Sequence, residues 1–517
     1  MHMTLERMIG QRLVVGFPGY EIPQELRDLV RECYVGNIIL FAENIRDNAQ
    51  LKRLCGDLQE MVNEATGLPA FITIDQEGGV VSRLGADAAV VPSAMCVSAT
   101  GDPHNAYLAG LITGRELSAL GVNFDLAPVM DVNSNPHNPA IGVRSYGDTP
   151  ETVSRYGAEM VRGLTEGGVL SCAKHFPGHG DTALDSHLSL PRVDKTLAEL
   201  ENCELAPFRA AIAAGVPAVM TTHILFPELE PDGIPATMSR RIITGLLKER
   251  MGFKGLVVSD CMMMQAIQTY YGTVNGIVAA ACAGVDMMFT SHSIAYARQG
   301  CEALKAAVES GRLPMEEMEA SVEKIIRCKQ ALKPSPRDAA SIVGRREHRE
   351  AVRHMMEQGV ALACGTLPPL GRDPLFLGCH PFRPTIASNP EDERVSFPRT
   401  MQAWLGGRAI PTPADPDDAQ IAGICAQVGR PSAIVVGTYN GHIKQGQLRL
   451  VEALARLNAA PVVCVALRNP YDLLALPKGV AGLAVYQYDE ESMEIAARVL
   501  RGECRPMGRL PLEKGAE

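Results

Sequence analysis

One short segment holds an unusual density of groups that can move protons. Residues 174–187, KHFPGHGDTALDSH, contain three histidines, two aspartates and a lysine. Pro177, Gly178 and Gly180 prevent a helix from continuing through the segment, so we predict a shaped loop that follows a strand. Loops with so many titratable side chains commonly carry function.

Three uses of this loop fit its residue types. One is a metal site, for example for zinc, with the ligands His175, His179, His187 and Asp181. Against it, a Gly/Pro loop does not provide the helical i, i+4 spacing of common zinc motifs. A second use is acid/base catalysis by Asp185 and His187, in which the carboxylate would orient the imidazole and stabilise its protonated form. The third is a polar loop held by internal hydrogen bonds, and the residue types leave all three open.

Asp260 is a second candidate, because it ends the run LVVS of apolar or small residues. A carboxylate in such surroundings needs a compensating environment to stay ionised. Cations at other predicted strand ends could supply it, namely Arg83, Arg144 and Lys174. A carboxylate held anionic in this way is a good nucleophile toward an oxocarbenium-like sugar carbon. A structural salt bridge would explain the same pattern.

A third cluster is the segment DQEGG at residues 75–79, followed by Arg83. It places the carboxylates of Asp75 and Glu77 beside flexible backbone. Such a pair could accept hydrogen bonds from two vicinal sugar hydroxyls. A solvated turn is an equally good explanation of this segment by itself.

Eight β-rich apolar runs predict the strands that must position these groups. They alternate with amphipathic stretches, such as residues 48–64 and 150–166, whose spacing predicts helices. The alternation predicts an α/β protein with a (β/α)8 barrel of the TIM type. The predicted strands are residues 13–16, 37–41, 70–75, 123–131, 170–175, 218–223, 255–260 and 286–289.

Polar side chains recur where these predicted strands end. The catalytic groups of a parallel barrel lie at the carboxyl ends of its strands. A single polar residue there could simply cap the following helix, but five in register favour an active site. The five are Asp75, Asp131, His175, His223 and Asp260.

A change of composition predicts a second domain. The barrel is expected to span residues 1–334, and a Pro-, Ser- and Arg-rich linker residues 335–346. Residues 347–517 then predict a smaller α/β sandwich domain. Its expected elements are a helix at 348–364 and apolar runs at 433–437, 461–466 and 482–486.

Bulk properties exclude several classes of protein. A chain of 517 residues with 46% apolar and 21% charged residues is typical of a globular protein with more than one core. The net charge of −10 argues against nucleic acid or an anionic membrane as partner. The apolar runs fall short of the ~20 residues of a membrane helix, and the first ten residues do not resemble a signal peptide, so a cytoplasmic location is predicted. Fourteen cysteines without a C-x-x-C pair favour free thiols.

Several segments together resemble glycoside hydrolase family 3, in particular its β-N-acetylglucosaminidase branch. KHFPGHGD followed by Asp-x-His is specific to this branch, and the other segments follow the family's order along nearly the whole chain. They are IDQEGGVVSRL (74–84), NFDLAPVMDVNSNPHNPAIGVRSYGD (123–148), CAKHFPGHGDTALDSH (172–187), MTTHILFPELEPDGIPATMS (220–239) and GFKGLVVSDCMMM (252–264). ALRNPYDL (466–473) and MGRLPL (507–512) are similar to the family's second domain.

The resemblance implies a retaining exo-β-N-acetylglucosaminidase that needs no metal or other cofactor. Asp260 would be the nucleophile that forms a covalent glycosyl-enzyme. His187 would protonate the leaving oxygen and then activate water, with Asp185 orienting it. The residues implied to bind the sugar are Asp75, Arg83, Arg144, Lys174, His175 and Met264.

The resemblance also leaves other activities open. A neutral imidazole does not repel an anionic acceptor, so a phosphorylase that transfers the sugar to phosphate is the main alternative. A β-glycosidase of the same family with another sugar specificity, a metal-dependent hydrolase and a sugar-binding protein without catalysis are further ones. The expected substrates are of the muropeptide or chitin-oligosaccharide type, with cell-wall recycling as one possible pathway, and the oligomeric state is not indicated.

The sequence departs from the family pattern at three positions. Val80 stands where arginine is usual, Cys261 where many relatives have a second acidic residue, and Glu43 where a basic residue is common. None of these changes removes a proposed catalytic group. The first two could shift substrate preference or rate.

Overall fold

A computed structural model describes residues 3–183, 190–336, 338–339, 341–385, 387–389 and 394–513. The predicted acid/base residues Asp185 and His187 lie outside the described residues, so their roles stay a prediction. The remaining predicted site residues are all described.

The first sheet is a parallel barrel. Its strands are β1 (Leu13–Val15), β2 (Asn37–Leu40), β3 (Phe71–Ile74), β4 (Phe124–Asp125), β5 (Cys172–Phe176), β6 (Ala218–Thr221), β7 (Leu256–Cys261) and β8 (Met287–Thr290). They follow the order β4-β3-β2-β1-β8-β7-β6-β5. Leu170 closes the ring next to β4, since its N–H donates to the Asn123 carbonyl at 2.9 Å and its carbonyl accepts from Asp125 N–H at 2.8 Å. The predicted (β/α)8 barrel is confirmed.

The helices of this unit surround the barrel. Local signals fix their ends: the Asp47 side chain accepts a hydrogen bond from Gln50 N–H at the start of α3, and Gly67 ends that helix in a left-handed conformation. The helices are α1 (Leu5–Gln11), α2 (Gln24–Cys33), α3 (Asn48–Thr66), α4 (Ala94–Ala99), α5 (His104–Leu120), α6 (Pro150–Gly167), α7 (Leu197–Asn202), α8 (Leu205–Ala213), α9 (Gln265–Gln268), α10 (Thr273–Ala283), α11 (Ile294–Glu309) and α12 (Met315–Gln330). A π-helix at Arg241–Arg250 lies between α8 and α9.

The strand predicted at residues 123–131 is much shorter in the structure. The regular strand ends at Asp125, and Pro128 has no N–H to donate to a ladder. Beyond Asp125 the chain stays beside β5, with Cys172 N–H donating to the Ala127 carbonyl at 2.7 Å and an isolated bridge between Val129 and Lys174. Asp131 therefore lies in a loop beyond β4 and not at the end of a regular strand.

The two ends of the barrel differ in character. Its interior is apolar, with side chains such as Phe71, Met220 and Phe289 fully or almost fully buried. At the amino ends of the strands, Lys329 of α12 donates hydrogen bonds to the Gln11 side chain at 2.7 Å and the Gly36 carbonyl at 2.9 Å. Burial lowers the pKa of Lys329 to about 7. Polar groups at this end serve stability, which leaves the carboxyl ends for chemistry.

The second sheet is mixed. Its strands are β9 (Ala361–Cys364), β10 (Leu375–Gly378), β11 (Arg408–Pro411), β12 (Ile434–Thr438), β13 (Val462–Ala466) and β14 (Ala481–Ala484), in the order β11-β10-β12-β13-β14-β9 with β9 antiparallel. Its helices are α13 (Arg346–Gly359), α14 (Phe397–Leu405), α15 (Asp418–Cys425), α16 (Gly446–Leu457) and α17 (Glu490–Leu500). The α/β sandwich is confirmed, but the helix predicted at 348–364 is wrong in its second part, because the chain enters β9 after Gly359.

Specific polar contacts join the two units. His348 at the start of α13 places Nδ1 2.7 Å from Glu116 Oε1, and Gly344 N–H donates to the same carboxylate. The carboxyl-terminal end returns to the barrel, where Glu513 N–H donates to Asp148 Oδ1 at 2.9 Å. The exact domain boundaries at 334 and 347 stay a prediction. Among the described helices, none combines the length and hydropathy that a membrane span needs.

Candidate active site

A buried charge network lies at the carboxyl ends of β3 and β5. Lys174 Nζ, which β5 directs inward, lies 2.7 Å from Asp75 Oδ1 and 2.6 Å from Glu77 Oε1. Arg144 donates two hydrogen bonds of 2.8 Å to Glu77, from Nε and Nη2. The structure thus brings together Asp75, Arg144 and Lys174, which the sequence placed on separate segments.

Glu77 has a different role from the one that its sequence suggests. Its side chain is only 6% exposed and both of its oxygens accept from Arg144, so it cannot serve as the second acceptor for sugar hydroxyls. Burial alone would raise the pKa of Glu77, but Arg144 and Lys174 outweigh burial and hold that pKa well below its usual range. Burial likewise opposes the charge on Lys174, yet Asp75 and Glu77 raise its pKa above the usual lysine value. Glu77 therefore keeps two buried cations charged and in place.

Asp75 is the carboxylate that remains available to a ligand. Its side chain is 19% exposed, and Arg83 Nη2 lies 3.9 Å from its second oxygen. A carboxylate flanked by two cations can accept hydrogen bonds from hydroxyl groups.

Asp131 organises the histidine-rich loop. Its Oδ1 accepts hydrogen bonds from the backbone N–H groups of His175 and His179, at 3.2 and 2.7 Å, and its Oδ2 lies 2.7 Å from His175 Nδ1. Burial would raise the pKa of Asp131, but the two histidines outweigh burial and lower it. The ring of His179 also approaches Thr182 Oγ1, with Nδ1 at 2.9 Å. The loop is shaped by one buried carboxylate that sequence reasoning noticed only as a strand end.

Asp260 lies near the end of β7 and is partly exposed. Its Oδ1 accepts a hydrogen bond of 2.6 Å from Cys261 N–H. Because β3, β5 and β7 belong to one parallel barrel, Asp260 lies at the same carboxyl-terminal face as the Asp75 network.

Two neighbours support the turn after β7. His223 Nε2 donates to the Cys261 carbonyl at 3.0 Å, while its Nδ1 lies 2.9 Å from Thr237 Oγ1, so both ring nitrogens are engaged. Met264 is 7% exposed and its N–H donates to the same Cys261 carbonyl at 3.0 Å. Met264 therefore lies close to Asp260 along the chain and in space.

Among the described residues, no group of three or more His, Cys, Asp or Glu side chains is arranged to bind a metal. Two of the ligands suggested for it, His175 and His179, are held by Asp131. His187, another of them, lies outside the described residues.

Known proteins are similar to this chain in sequence and in structure. The profile of the Glycosyl hydrolase family 3 N terminal domain matches residues 4–328. Beta-hexosaminidase A of Pseudoalteromonas piscicida is 35% identical over 406 residues, which cover 70% of this chain and 67% of that protein. A glycoside hydrolase family 3 beta-N-acetylglucosaminidase from Paenibacillus sp. str. FPU-7 superposes with a TM-score of 0.91 and 38% identity over 100% of both chains. The beta-glucoside phosphorylase BglX has a TM-score of 0.81 over 99% of this chain and 94% of its own, but at 21% identity it shows the fold alone.

These matches, on a parallel barrel with carboxylates at the carboxyl ends of its strands and a following α/β sandwich, identify a glycoside hydrolase. The match extends over both structural units. The chain belongs to glycosyl hydrolase family 3.

Proposed function

We propose that this enzyme is a retaining exo-β-N-acetylglucosaminidase that hydrolyses terminal β-linked N-acetylglucosamine. The observation that carries the proposal is the placement of Asp260 on the same barrel face as the Asp75–Lys174 pair, which would offer a nucleophile and a hydroxyl-binding centre at one face. The names of its relatives, beta-hexosaminidase and beta-N-acetylglucosaminidase, support the choice of sugar.

The proposed reaction has two steps. In the first, an Asp260 oxygen bonds to the anomeric carbon while the glycosidic C–O bond breaks, and His187 gives its proton to the leaving oxygen. In the second, His187 takes a proton from water, whose oxygen displaces Asp260 from the anomeric carbon. Because each step inverts the configuration of the anomeric carbon, the released sugar has the β configuration of the substrate. Asp185 would orient the imidazole and stabilise its protonated form.

The sugar is proposed to bind over the charge network. Asp75 accepts hydrogen bonds from ring hydroxyls, and the buried cations Lys174 and Arg83 donate to them. Arg144 and His175 complete the site, each held from behind by a buried carboxylate, Glu77 or Asp131 respectively. Met264 contributes an apolar contact near the anomeric centre.

The decisive assay compares p-nitrophenyl β-N-acetylglucosaminide with the corresponding β-glucoside, each with and without phosphate. We expect turnover of the first substrate only, with free N-acetylglucosamine as the product in both buffers. Preferential turnover of the glucoside would overturn the proposed sugar specificity. Formation of a sugar phosphate, with a rate that depends on phosphate, would establish the phosphorylase alternative instead.

Replacing His187 with alanine tests the proposed acid/base group. General acid catalysis contributes about 10²- to 10⁴-fold. We therefore expect kcat/KM for an unactivated disaccharide to fall by about 10³-fold, because its leaving group needs a proton. The p-nitrophenyl substrate, whose leaving group needs almost none, should lose less than about tenfold.

The matched control is His104→Ala, which removes an exposed histidine at the start of α5. It should leave both values of kcat/KM unchanged. Equal losses on both substrates in the His187 variant would contradict its role as the acid.

We also propose a cytoplasmic location and a part in recycling cell-wall fragments. All fourteen cysteines fall within the described residues and are free thiols, which is the usual condition in a reducing compartment. Cell fractionation followed by activity measurement tests the location, and accumulation of N-acetylglucosamine-terminated fragments in a deletion strain tests the pathway.

A further inference from the structure

One residue of the second unit, Asn389, contacts the loop of the barrel at residues 75–84, which carries Asp75 and Arg83. Asn389 Oδ1 accepts hydrogen bonds from Ser82 N–H at 3.0 Å and from Arg83 Nη1 at 3.1 Å. The backbone N–H of Asn389 donates to the Val80 carbonyl at 2.8 Å. Asn389 thus binds three residues along the edge of the loop, Val80, Ser82 and Arg83.

The guanidinium of Arg83 depends on these contacts. Its distance to Asp75 within the barrel is a long 3.9 Å, whereas Asn389 and the Ala387 carbonyl accept from it at 3.1 and 3.3 Å. The backbone of Arg83, in contrast, is held by the barrel itself, since its N–H donates to Gln76 Oε1 at 2.8 Å. The barrel therefore fixes the backbone of Arg83, and the second unit fixes the position of its guanidinium.

The barrel unit holds the backbone of the loop, where Gln76 Oε1 accepts from both Arg83 N–H and Leu84 N–H, at 2.8 and 3.1 Å. A cavity of about 520 Å³ lies between the two units, and Val80, Ser82 and Leu84 line it. Asn389 borders the same cavity from the second unit. Because the cavity leaves this side of the loop without packed side chains, the hydrogen bonds to Asn389 and the Ala387 carbonyl are what orient the Arg83 guanidinium here.

The acceptors offered by the second unit are electrically neutral. An amide oxygen and a carbonyl oxygen orient a guanidinium without cancelling its charge. The cation stays available to Asp75 and to a sugar hydroxyl, which a carboxylate in either place would oppose.

We propose that Asn389 is a positioning residue that sets the place of Arg83, so that the second domain controls sugar affinity in the barrel. This inference rests on the proposed function, in which Arg83 binds the sugar. It gives the α/β sandwich a role in the reaction although the chemistry takes place at the barrel.

The test is a double-mutant cycle on p-nitrophenyl β-N-acetylglucosaminide. Asn389→Ala removes the acceptor and should raise KM by about tenfold, with kcat within about threefold of the wild type. Arg83→Ala should raise KM at least as much. In the double variant, removal of Asn389 should add less than about twofold, because its effect passes through Arg83. Independent, multiplicative effects on KM would overturn the proposal.

Two further variants separate positioning from folding. Asn389→Asp keeps the oxygen acceptor in place but adds a charge that competes with the ligand for the guanidinium, so its KM should lie between those of the wild type and Asn389→Ala. A KM as high as that of Asn389→Ala would also overturn the proposal. Ser388→Ala removes the neighbouring hydroxyl, which accepts from Arg468 within the second unit at 2.8 Å and does not contact Arg83 in the structure. It should leave KM unchanged. Thermal melts of each variant establish that it is folded, and wild-type turnover in the same assay tests the proposed function separately.

Discussion

Replacing Asp260 with alanine is expected to reduce kcat for p-nitrophenyl β-N-acetylglucosaminide by on the order of 10⁴-fold or more. The carboxylate is the only group of the proposed mechanism that bonds to the anomeric carbon, and alanine cannot replace it. The activated leaving group does not rescue this variant, because the first step needs a nucleophile whatever the quality of the leaving group. Folding should be preserved, since the side chain is partly exposed at the end of β7.

Chemical rescue makes the Asp260 prediction specific. A small anion such as azide fits the space left by the missing carboxylate and attacks the anomeric carbon from the same face. The product should be the α-glycosyl azide, formed with a single inversion and identified by proton NMR. Restored hydrolysis with a β-configured product, or turnover at the wild-type rate without azide, would contradict the assignment. The control Asp418→Ala removes an exposed carboxylate of α15 and should be fully active.

The barrel was largely predictable because its strands are buried on both faces. Such strands appear as continuous apolar runs, and all eight predicted runs contain a strand. The helices at residues 48–64 and 150–166 are confirmed with small shifts at their ends. The second unit was harder to predict. Strand β11, at Arg408–Pro411, is only partly buried at the edge of its sheet, so its residues lack a strong apolar pattern.

The sequence indicates which residues belong to the candidate site, but it does not indicate which of them contact one another. Strand ends and family motifs indicate Asp75, Lys174 and Asp260, since each follows or ends an apolar run. No local pattern shows that Glu77 is buried against two cations while Asp75, two positions earlier, stays partly exposed. Asn389 is still less accessible to sequence reasoning, because its contact with Arg83 joins residues 306 positions apart. Pairings of this kind arise from the way the two units dock.

Replacing Glu77 with glutamine should destabilise the barrel strongly. Glutamine has the same size and retains one oxygen acceptor, but it removes the negative charge that compensates Arg144 and Lys174, which are 5% and 2% exposed. Breaking a buried ion pair typically costs ~3–5 kcal/mol, because a buried charge is left without compensation. The midpoint of urea unfolding should fall accordingly. Activity should fall with it, since the displaced cations would no longer hold Asp75 and the sugar.

Glu317→Gln is the matched control, because Glu317 forms the same two-hydrogen-bond pair with Arg240, at 3.0 and 2.8 Å, on the exposed surface. Its loss should cost less than about 1 kcal/mol, since solvent screens the pair. The two variants thus compare a two-hydrogen-bond Arg–Glu pair in buried and exposed surroundings, with the contact between Glu77 and Lys174 as an additional loss on the buried side. Similar losses of stability in both would contradict the compensating role of Glu77.

The pH dependence of the unfolding free energy provides a second test of the role of Glu77. Because the folded-state pKa of Glu77 lies well below its unfolded value of about 4.3, its contribution to stability is fully present above that pH. The contribution is lost as the pH falls below about 4.3 toward the folded-state pKa, where the wild-type carboxyl is protonated as well. The difference in unfolding free energy between wild type and Glu77→Gln should therefore be constant near neutrality and shrink in acid. A difference that stayed the same throughout would mean that the variant loses packing and not charge, and the buried cations would then need another source of compensation.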